Sequence, residues 1–153
     1  MFSVTFPSKI WGFYYFFTKN TIQKVQRNLL IIGCFLAALA VILGAFGAHG
    51  LKARISPEHL QIFETGVKYQ FYHTFAIIMT ALFLEKFNHA FTTYAAFCFI
   101  VGIVLFSGSL YLLATRTLLG IENLSLIGPM TPIGGLFFII GWVLLAVSVM
   151  KNG

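Results

Sequence analysis

At 153 residues the chain is 59% hydrophobic and only 9% charged, with a mean hydropathy of +0.90. A soluble domain carries about 25% charged residues, so this composition excludes one and describes a single-domain membrane protein. The net charge of +6 accordingly points to lipid headgroups and topology before nucleic acid.

Residues 1–27 come first and stand apart, mixing Trp11, Tyr14 and Tyr15 with Lys9, Lys19, Lys24 and Arg27. That is the composition of a segment lying at headgroup level, and an interfacial helix is expected here in preference to a disordered extension. A basic stretch, an apolar run and small residues near Ala45 and Gly47 also imitate a signal peptide. The run is long enough to span, however, and its small residues are not confined to its end.

Four apolar runs then follow, at about 28–48, 66–84, 91–114 and 128–150. Each approaches the roughly 20 helical residues that cross a hydrocarbon core. None alternates with period two, so helices are expected throughout and barrel strands are not. Short connections make an antiparallel four-helix transmembrane bundle the expected fold. Cys34 and Cys98 fall inside these runs, where a thiol acts as a small hydrophobe and leaves the redox compartment open.

The first run carries a stripe. At 100° per residue, Gly33, Ala37, Ala40, Gly44, Gly47 and Ala48 share an arc of about 100°. Small-xxx-small surfaces let helix backbones approach closely in lipid, where dispersion replaces the hydrophobic drive. Two glycines of "GAFGAHG", Gly44 and Gly47, therefore read as packing, with backbones nearly touching at Gly44. Ala95, Cys98, Gly102 and Ser109 align likewise on the third run, and Gly134, Gly141 and Ser148 on the fourth.

The second run is different. Gly66, Tyr69, Gln70, His73 and Thr80 share one arc, while Glu64 and Lys68 lie together elsewhere as an i, i+4 pair able to snorkel. Gln70 and His73 enter hydrocarbon and are expected to face the bundle. Antiparallel connectivity would bring "GAFGAHG", "GVKYQFYH", "FSGSLYLL" and "TPIGGL" to one membrane surface. His49, Tyr69, Gln70, His73, Ser107, Ser109, Tyr111 and Thr131 are thus the candidate residues of one polar pocket.

No catalytic, metal or cofactor motif is legible. Glu58, His59 and Glu64 lack the H-x-x-x-H or H-E-x-x-H spacing, so a hydrogen-bonded structural histidine is favoured over a metal or haem ligand. No strand precedes the glycines of residues 44–50, which excludes a phosphate loop. Ser107 and Ser109 flank a glycine in an apolar helix, where interhelical or backbone hydrogen bonding is favoured over nucleophilic catalysis.

The blocks "LGAFGAHGLK", "YQFYH", "LFSGSLYLLA" and "TPIGGLFFIIGW", in that order over about residues 28–150, resemble domain-of-unknown-function family 423, to which animal transmembrane protein 256 is similar. The resemblance implies a small integral protein of the bacterial inner membrane with no established activity. It places Gly44, Gly47, His49, Gly66, Tyr69, Gln70, His73, Ser107, Gly108, Thr131, Pro132 and Gly134 at signature positions. Residues 1–27 extend beyond the family's usual start, and "RTLLGIENLSLIGPM" is longer than its usual connection.

Three functional classes remain open. A non-enzymatic accessory or assembly subunit is favoured by small size and minimal loops; a small transporter or lipid-binding protein and a membrane-embedded enzyme are the alternatives. The expected partners are the lipid bilayer and a membrane protein or a second copy, with no nucleic acid and no cofactor. Both termini are expected in the cytoplasm. That orientation sets Lys9, Lys19, Lys24, Arg27, Lys86 and Lys151 inside against Lys52, Arg54, Lys68 and Arg116 outside.

Overall fold

The computed structural model describes residues 8–87, 90–121 and 127–151, with side chains from residue 18 onward, and every regular element among them is helical. Helix α1 spans Ser8–Ala45 and passes into a π-helical turn, Phe46–Leu51. Helix α2 is Pro57–Phe87. Helix α3, Ala90–Gly102, runs through a π-helical segment, Ile103–Ser107, into α4, Gly108–Thr115. Helix α5 is Met130–Met150.

Three stretches are long and apolar enough to cross a membrane: Thr18–Leu51, Ala90–Thr115 and Met130–Met150. Their outward surfaces suit lipid, with Phe35 73% exposed and Val104 64% exposed. Isolated exposed hydrophobes are ordinary, but extensive apolar faces are rare on soluble monomers. Helix α2 is long enough to span, yet it is the most polar of the long helices because it occupies the centre. It packs on α1, α3, α4 and the π segment, and it turns Gln70, His73, Thr74 and Thr80 inward.

Residues 1–7 and the side chains of Lys9, Trp11, Tyr14 and Tyr15 lie outside the described residues. The backbone from Ser8 continues into the apolar run as one unbroken helix. The reason is local. Between Thr18 and Ile32 there is neither glycine nor proline to end a helix, and Ile22 and Val25 pack against the main core.

Helix α2 starts earlier than its apolar run suggests. Pro57 fills the first helical position, where a missing N–H costs nothing, and the Ser56 Oγ accepts the His59 N–H at 3.3 Å. Glu58 then complements the positive end of the helix dipole. Ahead of it, the Leu51 carbonyl accepts the N–H groups of Arg54 and Ile55 at 2.7 and 3.1 Å. Much of the expected 49–65 connection is therefore helix.

Contacts set the register. Along α1, Gly33 meets Ile78, Gly44 meets Val67 and Gly47 meets Phe63, so one helix rises in number as the other falls. Along α5, Gly134 meets Phe106, Phe138 meets Gly102, Gly141 meets Phe99 and Ser148 meets Thr92, again in opposite directions. The main core lies between these pairs around Ile77, Ala81, Ala96 and Phe99, each fully buried. A smaller cluster of Leu51, Phe63 and Ala114 closes the other end.

Beyond α4 the chain stops on a Schellman motif. Gly120 takes φ +65°, its N–H donates to the Thr117 carbonyl at 3.4 Å, and the Ile121 N–H donates to Arg116 at 3.0 Å. Residues 122–126 of the following connection lie outside the described residues.

Candidate functional site

Between the two cores, α2 contributes a polar layer. Gln70 is 2% exposed, its Nε2 donates to the Leu36 carbonyl of α1 at 2.9 Å, and its Oε1 accepts the Tyr111 hydroxyl of α4 at 2.9 Å. One side chain thus ties three helices. Tyr111 reaches it because Gly66 has no side chain: a Cβ there would lie 2.8 Å from the tyrosine ring. On its other side the ring packs against Phe63 at 4.9 Å between centroids.

One turn further, His73 is buried and its Nδ1 lies 2.8 Å from the Tyr69 carbonyl. A carbonyl can only accept, so this contact assigns the proton to Nδ1. Its Nε2 is left as an acceptor, and the Trp142 indole N–H donates to it at 3.4 Å. The imidazole stacks on Phe138 with centroids 3.4 Å apart and planes 8° from parallel. Tyr69 and His73 from α2, Phe106 from the π segment, and Pro132, Phe138 and Trp142 from α5 line a groove of about 570 Å³.

A third set joins α4 to α5. The Ser109 hydroxyl donates to the Phe106 carbonyl at 2.9 Å and pairs with the Thr131 hydroxyl at 2.7 Å. Near the opposite end, Thr92 and Ser148 pair across α3 and α5. Ser107 is fully buried, and its hydroxyl has no hydrogen-bond partner among the described residues. It sits in the π segment, whose widened ladder displaces the side chain from the preceding-turn carbonyls that usually receive a serine.

That same segment makes the closest backbone approach. A Cβ at Gly134 would overlap the Phe106 nitrogen and lie 2.8 Å from its Cα. Backbone cannot swing aside, so only glycine fits there. The expectation that backbones nearly touch at Gly44 is corrected: a Cβ at Gly44 would find Val67 at 3.5 Å, an ordinary contact.

The remaining small residues divide. Gly33, Ala40 and Gly47 are buried on the α2 side of α1, Ala37 is half-buried, and Ala48 is exposed. The wider π turn rotates less per residue than the uniform 100° steps assume, which carries Ala48 off the stripe. Gly102 and Gly141 both face phenylalanine rings, Phe138 and Phe99.

The eight residues expected in one pocket therefore fall into separate arrangements. Gln70 and Tyr111 form one, Tyr69 and His73 a second, Ser109 and Thr131 a third; Ser107 is buried beside them, and His49 is exposed on the π turn that closes α1. The polar pattern of the sequence does not single out Trp142, Phe138 and Phe106, which line the groove. Thr131, Gly135, Phe138 and Trp142 do fall within one arc of about 60° on α5, and that alignment was the available signal. Among the described residues, no three His, Cys, Asp or Glu side chains gather where they could hold a metal ion.

Residues 43–135 match the family model described as "Protein of unknown function (DUF423)". The chain is 42% identical over 127 residues to the UPF0382 membrane protein YwdK of Bacillus subtilis, covering 82% of this chain and 98% of that relative. It is 41% identical over 128 residues to a UPF0382 membrane protein of Haemophilus influenzae, covering 84% and 98%. A UPF0382 membrane protein of Staphylococcus epidermidis is 38% identical over 126 residues, covering 82% and 98%. No solved structure matches the chain. With most of its length aligned to relatives named as membrane proteins, and three of its helical stretches suited to crossing a bilayer, the chain belongs to the DUF423 family of membrane proteins of unknown function.

Proposed function

We propose that the protein is a non-enzymatic accessory or assembly subunit of the bacterial inner membrane. The observation that carries this reading is where its polar side chains go. Gln70, Tyr111, Ser109, Thr131 and His73 all direct hydrogen bonds to other residues of the same bundle, most of them on neighbouring helices. A reaction centre needs a nucleophile or acid–base pair facing substrate, whereas these groups hold helices together.

The same reading makes α2 a fourth span, giving an antiparallel four-helix transmembrane bundle. Tyr69–Leu84 carries no Asp, Glu, Lys or Arg, and Phe75 and Leu82 stand 53% and 57% exposed on its outer face. Those residues cover about 24 Å of helix, and Lys68 and Glu85 at its ends can snorkel to the interfaces. Six cationic residues on the side of both termini against four on the other orient those termini to the cytoplasm. The polar layer then lies toward the non-cytoplasmic face. Its partner is a membrane protein or a second copy docked on the apolar outer surface.

Gentle detergent extraction of the full chain, followed by identification and stoichiometry of what copurifies, tests the assignment. A protein recovered at a fixed ratio is expected. Recovery of a monomer bearing no protein, from several mild detergents, would refute it.

A further inference from the structure

The groove beside Tyr69 has properties that helix packing does not require. Its walls are rings: Tyr69 lies 4.6 Å from Phe106 between centroids, and Trp142 makes an edge contact with Phe99 at 5.1 Å that holds the indole in place. None of its lining residues is Asp, Glu, Lys or Arg. One polar hydrogen is available at it. The Tyr69 hydroxyl has no hydrogen-bond partner among the described residues, whereas the Trp142 N–H already donates to His73 Nε2 at 3.4 Å.

We propose that this groove binds a neutral membrane lipid with a planar, carbonyl-bearing ring and an apolar chain, the class of the isoprenoid quinones. Aromatic walls stack on a planar ring, and the Tyr69 hydroxyl can donate to a carbonyl oxygen of that ring. A phospholipid headgroup finds no cation here to balance its phosphate. Between Pro132 and Trp142 the groove follows α5 for about 15 Å, a path from headgroup depth toward mid-bilayer. Leu136 and Ile139 flank it, 57% and 60% exposed, and an apolar chain laid along α5 covers both. The volume of about 570 Å³ falls within the span of small-molecule sites, roughly 300 to 1,000 Å³. The proposal does not rest on the accessory reading, because its ligand is a lipid and the titration below reads binding whether or not a protein partner is present.

Trp142 is its own reporter once Trp11→Phe leaves it the sole tryptophan of the two in the chain. The full-length variant in lipid nanodiscs is titrated with menaquinone bearing two isoprene units while indole fluorescence is read. Saturable quenching is expected. Gly135→Leu fills the groove, and the fold has room for it because a Cβ there would meet the Phe106 ring at 3.8 Å. It should raise the half-saturation concentration at least tenfold. Tyr69→Phe removes the donor and should raise it about three- to tenfold. If Gly135→Leu does not purify as a folded species, Tyr69→Phe decides alone. Quenching that never saturates, or that is unchanged in the deciding variant, would overturn the proposal. So would unaltered quenching by phospholipids with brominated acyl chains when the menaquinone is added, since that would make the groove ordinary lipid annulus.

Discussion

Tyr111 on α4 donates a hydrogen bond of 2.9 Å to Gln70 on α2, and the amide of the same glutamine donates to the backbone of α1 at Leu36. The pair sits between two apolar clusters, so no water replaces either bond cheaply. Removing the hydroxyl alone leaves a buried amide oxygen without a donor. Tyr111→Phe is expected to lower stability by about 1–2 kcal/mol, measured by denaturant unfolding in a defined detergent. Gln70→Leu with Tyr111→Phe should cost less than the two single changes added together. Strict additivity would show that the bond does not couple the helices.

Gly134 and Gly44 should respond oppositely to alanine. Gly134→Ala forces a methyl against the Phe106 backbone, and overpacking of this kind costs about 1–3 kcal/mol. Gly44→Ala places its methyl at contact distance from Val67 and should be neutral or slightly stabilising. Thermal unfolding of the two variants in the same detergent checks the order. Equal losses would place the tight approach elsewhere.

Gly120 is under a conformational demand, since its φ of +65° closes the turn beyond α4. Gly120→Ala is expected to cost about 1–2 kcal/mol through left-handed strain. Gly128 has no such φ, and a methyl added there would meet no described atom within 4 Å, so Gly128→Ala should be silent. A matched loss at both sites in thermal unfolding would contradict the conformational explanation.

Topology is tested with fusions. Alkaline phosphatase placed after Arg54 should be active, and the same reporter after Gly153 inactive, if both termini are cytoplasmic and α2 crosses the bilayer. Activity at both positions, or the reverse pattern, would reject that arrangement.

The sequence by itself determined the membrane class, the helical content and the family, because hydrophobic runs about 20 residues long have few structural solutions in lipid. It also marked Gln70 and His73 as inward, since polar groups inside an apolar helix are too costly to face hydrocarbon. Position along a helix face could not decide which polar groups would meet. Gln70 found the Leu36 carbonyl, a backbone atom that no side-chain pattern reveals. His73 found Trp142, sixty-nine residues away in the chain. The π segment Ile103–Ser107 shifts the helix off regular α periodicity, with its Phe106 backbone against Gly134 and its Ser107 buried without a partner among the described residues. Uniform 100° steps cannot anticipate such a shift, because it arises from how two helices settle against each other and not from either sequence alone.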